Sequence, residues 1–90
     1  MIQEFLDYFR NERNRSPRTI ASYEDSLRQF ESFFHHLDAN LDWDTVDADI
    51  IRDWLESMMD NGLKATAVKA RLSAVKSLYR WALGRGRVDK

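Results

Sequence analysis

The 90-residue chain has no cysteine, one proline (Pro17) and three glycines (Gly62, Gly84 and Gly86). Without thiols it can build neither a disulfide nor a Cys-based metal site, and their absence fits a cytoplasmic protein. The two histidines, His35 and His36, are adjacent and cannot point the same way on a helix, so no metal is expected. No apolar run approaches the ~18 residues of a membrane span, and Met1–Arg10 holds two acids where a signal peptide would be basic. There is no Gly-rich phosphate loop and no nucleophile or His/Glu metal spacing. No catalytic residue and no cofactor is therefore expected. What the chain does have is 43% hydrophobic residues and eleven aromatics, enough for one small folded domain over residues 1–90.

The formal net charge of −1 argues at first against a nucleic-acid partner. Resolved by segment, it is a cancellation. Residues 1–40 carry five basic and seven acidic residues, and residues 41–62 carry Arg52 against seven acids. Residues 63–90 carry eight basic residues against Asp89 alone, a net of +7. Such asymmetry marks an interaction surface.

The hydrophobic period is helical throughout, which predicts an all-α bundle of four helices at about 2–12, 17–37, 48–60 and 65–83. Ile2, Phe5, Leu6 and Phe9 form the first apolar stripe. Ser16-Pro17 starts the second helix, since serine caps free amides and proline at the first position loses no hydrogen bond. Its stripe is Ile20, Tyr23, Leu27, Phe30, Phe34 and Leu37. Leu41, Trp43 and Val46 punctuate an acidic connector expected to cross the end of the bundle with these side chains tucked in, and Asp47 reads as the cap of a third helix with a broad apolar face, stopped at Asn61-Gly62. The fourth helix is expected to end at Gly84. Its wheel centres the buried arc on Val68, Leu72, Val75, Tyr79 and Ala82, with Ala74, Leu78 and Trp81 to one side.

Outside that arc lie Lys69, Ser73, Lys76 and Arg80, with Thr66 and Ser77 beside them. A face that only had to be soluble would mix signs, so an acid-free face on a chain with fifteen acids needs a cause. On the second helix, Arg18 and Ser22 flank an N-terminus whose free amides favour phosphate, and Arg10, Arg13 and Arg15 precede it. Three partners fit the pattern: duplex DNA, a protein docked on a helical adaptor, and DNA bound by a stand-alone regulator. The carboxylates of residues 42–60 suit a solvated or docking surface, expected to lie away from DNA.

Several words in the chain are similar to those of one family. Phe5-Leu6-Asp7-Tyr8, Ser16-Pro17-Arg18-Thr19-Ile20-Ala21-Ser22-Tyr23, Gly62-Leu63, Arg71-Leu72-Ser73-Ala74-Val75-Lys76-Ser77-Leu78-Tyr79-Arg80-Trp81-Ala82 and Gly86-Arg87-Val88 occur in that order. Together they resemble the N-terminal, SAM-like core-binding domain of tyrosine recombinases, the module of phage integrases and Xer-type proteins. The resemblance implies a four-helix half-clamp on double-stranded DNA, with helices two and four against the major groove. It also implies a C-terminal catalytic domain of the same protein that cleaves and rejoins strands in DNA integration and recombination, and neighbouring protomers on paired sites. That catalytic domain is absent from the chain, which stops at Val88-Asp89-Lys90 where the family's linker begins, so it is expected to bind DNA and cleave nothing. Carried over by position, the DNA-contacting residues are Arg18, Thr19 and Ser22 on helix two and Lys64, Thr66, Lys69, Ser73, Lys76 and Arg80 on helix four. Lys64 departs from the family pattern, which usually has a capping Ser or Thr there.

Overall fold

The computed structural model describes residues 1–88; Asp89 and Lys90, in the expected linker, lie outside the described residues. Four helices make up the fold: α1 (Ile2–Glu12), α2 (Pro17–Leu37), α3 (Ala48–Asp60) and α4 (Ala65–Gly84). No strand occurs among the described residues, so the chain is all-α as its hydrophobic period requires.

Local chemistry sets most helix ends. Ser16 Oγ accepts the Thr19 N–H at 3.3 Å and Asp47 Oδ1 accepts the Ile50 N–H at 3.0 Å, so α2 and α3 each begin on a side-chain cap. Lys64 occupies the corresponding position before α4 and gives no such bond. The C-terminal ends of α3 and α4 close in the same way. At φ +87°, Gly62 lets the Leu63 N–H reach Met58 O at 3.1 Å and its own N–H reach Met59 O at 3.0 Å. Gly86, at φ +69°, does the same for α4, with Arg87 N–H on Ala82 O at 2.8 Å. The helix ends at Gly84 as expected, and the left-handed glycine that closes its end is Gly86.

Tyr23 shares a cleft with Ser77 and Trp81, whereas Gln29 and Asp25 meet Arg71, so α2 and α4 run antiparallel. Two aromatic clusters fill the space around this pair. In one, α1 supplies Phe5 and Phe9, which stack at 5.3 Å; Phe9 stacks on Tyr23 at 4.6 Å and Phe5 meets Trp81 at 5.7 Å. In the other, Phe30 stands 4.8 Å from Trp54 of α3, 5.3 Å from Phe34 and 5.5 Å from Trp43. Trp43 belongs to no helix, yet it is only 2% exposed. Its indole N–H donates to Glu31 Oε2 at 3.0 Å, and its backbone carbonyl accepts from Tyr79 Oη at 2.6 Å. The connector is thereby held against both long helices.

The buried arc of α4 is rotated from its sequence reading. Ala74, Val75, Leu78 and Ala82 are at or below 1% exposure, whereas Leu72 and Tyr79 are only half-buried. The centre moves because α1, α2 and α3 all pack on α4, and their combined cover, not the apolar arc alone, sets what is buried. Leu37 and Met59, placed on apolar stripes by spacing, are more than half exposed, since each helix outruns its partners there.

Beyond α4, Arg87 forms a two-pronged pair with Glu4 of α1, at 2.6 and 2.7 Å, tying the end of the described chain to its beginning. These hydrogen bonds hold the Glu4 carboxyl below its ordinary value of 4.5. The stabilisation is present above that value and disappears as the pH falls through the lowered one. Glu4→Gln is therefore expected to unfold more easily in urea than the parent at neutral pH, with the difference vanishing in acid. Tyr79 supplies a second test. Burial, with Asp42 and Asp44 nearby, pushes its phenol well above the ordinary 10.0, so only the unfolded chain releases that proton as the pH passes about 10. Tyr79→Phe should cost about 1 kcal/mol near neutrality in urea denaturation, by orphaning the Trp43 carbonyl. Its disadvantage should shrink above pH ~10, where the parent alone loses stability through this group.

Candidate nucleic-acid interface

The residues expected to face DNA on α4, namely Thr66, Lys69, Ser73, Lys76 and Arg80, are all exposed, as is Lys64 just before the helix. From Lys69 to Arg80 the stripe covers roughly 16 Å of helix at ~1.5 Å per residue. It carries no acid, and none of its three cations pairs with a carboxylate of the described residues. The contrast with the other basic residues is clean. Arg10, Arg28, Arg52, Arg71, Arg85 and Arg87 each sit within 4.0 Å of a carboxylate, on Asp7, Glu24, Asp49, Asp25, Glu12 and Glu4 respectively. Among the described residues, the cations without such a partner are Arg13, Arg15, Arg18, Lys64, Lys69, Lys76 and Arg80. All lie on the α1–α2 turn, at the start of α2, or on and just before α4.

On α2, Arg18 and Ser22 are exposed. Thr19 is half-buried, with its hydroxyl 3.0 Å from the Ser16 hydroxyl, so it completes the cap before it can serve any ligand. Asp25 and Gln29, farther along the same face, are taken up by Arg71, a residue whose role the sequence did not reveal. Its guanidinium pairs with Asp25 at 3.8 Å and donates to Gln29 Oε1. The one acid on this face of α2 is thus neutralised from α4, and the pair braces the two helices.

The acidic connector, expected to lie away from DNA, runs alongside the basic stripe. A groove of about 790 Å³ has Asp44 and Asp47 along one wall and Lys76 and Arg80 along the other, with Val46, Ile51, Leu72 and Tyr79 between them. Burial of Trp43 draws the connector over α4, so its acids border the stripe. They fix one lateral edge for any polyanion, because phosphate is repelled on that side.

At the end of the stripe a second cleft, of about 330 Å³, opens where the α1–α2 turn meets α4. Arg13, Arg15, Arg80 and Arg85 line it above an aromatic floor that includes Phe9, Tyr23 and Trp81, and no carboxylate is among its lining residues. The sequence reading noted arginines before α2 but did not assign them, because the cleft joins positions nearly 70 residues apart. Asn14 makes the convergence possible: at φ +53° it takes the left-handed conformation that asparagine tolerates, reversing the chain between its two arginine neighbours. No group of His, Asp and Glu that could hold a metal occurs among the described residues, and no helix is long and apolar enough to cross a membrane.

Comparison with known proteins agrees with this geometry. A relative from Staphylococcus aureus, a tyrosine recombinase XerC, is 37% identical over 83 residues, covering 89% of this chain and 26% of the relative. The XerC of Roseiflexus castenholzii is 34% identical over 91 residues, with 99% of this chain and 28% of the relative covered. That of Chlorobaculum tepidum is 28% identical over 94 residues at the same coverage. The chain thus spans little more than a quarter of the length of these relatives. No solved structure gives a significant match. The family model described as phage integrase, N-terminal SAM-like domain, matches residues 2–86, and the chain belongs to that family, the N-terminal helical domain of tyrosine recombinases.

Proposed function

We propose that this domain binds duplex DNA through the exposed face of α4 and the start of α2. In a longer protein it would hold DNA for a separate catalytic domain that cleaves and rejoins strands. The observation that carries this reading is the partition of the cations: those without carboxylate partners are confined to the α1–α2 turn, the start of α2, and α4 with the residue just before it. Leaving several like charges unpaired on one face gains nothing for folding, whereas phosphates would satisfy them. A helix presenting small hydroxyls between lysines also suits the major groove, which admits an α-helix and offers phosphates on both rims.

Within this scheme Lys64, Lys69, Lys76 and Arg80 hold phosphates, Thr66 and Ser73 fill the closest approaches, and Arg18 and Ser22 stand nearest to base edges. Thr19 contributes through the cap it shares with Ser16. The relatives are recombinases, which supports strand exchange as the activity of the whole protein and paired sites with neighbouring protomers as its setting. A protein-docking adaptor has less support, because the exposed large apolar residues Leu37, Met59 and Leu83 stand on three different helices.

Fluorescence anisotropy with a labelled duplex, across a series from 50 to 200 mM salt, tests the proposal. Each phosphate contact contributes about 0.9 to the slope of log affinity against log salt. Lys69→Ala/Lys76→Ala is expected to lower that slope by about two and to weaken binding similarly on unrelated sequences. Arg52→Ala, on α3, should leave it unchanged. Unaltered affinity and slope in the lysine variant would remove α4 from the interface.

A further inference from the structure

We infer that the arginine cleft between the α1–α2 turn and the end of α4 is a phosphate-binding site in its own right, which takes backbone phosphates of the DNA strand that leaves the α4 stripe. The inference rests on the duplex-binding role proposed above and adds to it a site at Arg13, Arg15 and Arg85.

Four observations converge on it. The first is charge. Three of the four lining arginines, Arg13, Arg15 and Arg80, have no carboxylate partner among the described residues, and Arg85 shares its charge with Glu12 at 3.4 Å. The second is preorganisation. Arg15 lies over the Phe9 ring at 5.4 Å, and Arg85 over the Tyr8 and Trp81 rings at 5.4 and 5.9 Å. Held over a ring in this way, a guanidinium has its rotamer freedom already reduced before an oxyanion arrives. The third is an orphan donor: Trp81, in the wall of the cleft, has a buried indole N–H with no acceptor. Such a group costs stability unless something accepts from it.

The fourth is continuity. Arg80 lines both this cleft and the groove bordered by Asp44 and Asp47. A polyanion following Lys69, Lys76 and Arg80 is therefore repelled on the connector side and meets only arginines on the other. Four guanidinium groups lining about 330 Å³ suit the oxygens of consecutive phosphates on one strand.

Two sources could present that chemistry, the phosphodiester backbone and a free oligophosphate, and the test separates them. The indole N–H of Trp81 gives a single resolvable cross-peak in a ¹⁵N-correlated NMR spectrum and needs no substitution. It is expected to shift when duplex DNA is added to the parent chain and not with millimolar pyrophosphate; movement with both would identify a site that also takes free phosphates. No movement with either would overturn the inference. In the salt series, Arg13→Gln/Arg15→Gln should lower the slope by about two and weaken duplex binding roughly tenfold or more at the low-salt end. Both arginines are exposed on the turn, and a urea melt of the variant separates loss of the Arg15 contact with the Phe9 ring from loss of phosphate binding. If the arginine variant binds as the parent does while Lys69→Ala/Lys76→Ala is weakened, the cleft is not a phosphate site and the α4 interface stands. If neither variant is weakened, duplex binding through this side of the domain falls, and the cleft with it.

Discussion

The burial of one indole organises this domain. Trp43 lies in a connector of short turns, yet it is enclosed by Phe30 and Phe34 of α2 and Tyr79 of α4, at centroid distances of 5.4 to 5.7 Å. Edge-to-face and tilted pairs of this kind add about 0.5–1.5 kcal/mol each beyond the area they bury. The indole N–H and the Trp43 carbonyl would be costly to bury alone, and Glu31 and Tyr79 satisfy them. One residue thus fixes how the connector crosses the bundle, where α3 begins and which side of α4 is left open. Opposite it, Arg71 braces α2 against α4 through Asp25 and Gln29.

The function follows from what this packing leaves uncovered. The pairs at Arg10, Arg28 and Arg52 are exposed, and such pairs contribute little to stability. Their significance is that they use up cations elsewhere on the surface. The unpaired cations remain on α4, the start of α2 and the turn before it, with Asp44 and Asp47 standing along one edge. A surface of one sign bounded by the other orients a charged partner as well as attracting it.

Much of this was legible in the sequence, for physical reasons. The stripes Ile2-Phe5-Leu6-Phe9 and Ile20-Tyr23-Leu27-Phe30-Phe34 identify helices because a 3.6-residue period has no other simple cause, and Ser16-Pro17 and Asp47 mark starts because their side chains satisfy free amides. The acid-free stripe of α4 was visible because one helix carries all of it. What stayed hidden depends on contacts between distant segments. That Trp43 tucks in was expected of an apolar residue in an acidic connector; the partners that hold it, Glu31 and Tyr79, were not. Arg71 reads as one more cation until Asp25 and Gln29 are placed beside it. The arginine cleft gathers residues from 13 to 85, and the acidic border of the stripe exists only because Trp43 pulls the connector across α4. Leu72 was placed too near the centre because a wheel drawn for one helix does not say from which directions its neighbours cover it.

The most direct test of the central claim is a map of backbone amide shifts as duplex DNA is added to the ¹⁵N-labelled chain. The account predicts that the largest changes fall on residues 64–80 and 16–22, with α3, residues 48–60, almost unmoved. Changes concentrated on α3 and the outer surface of the connector, with the α4 stripe silent, would contradict it.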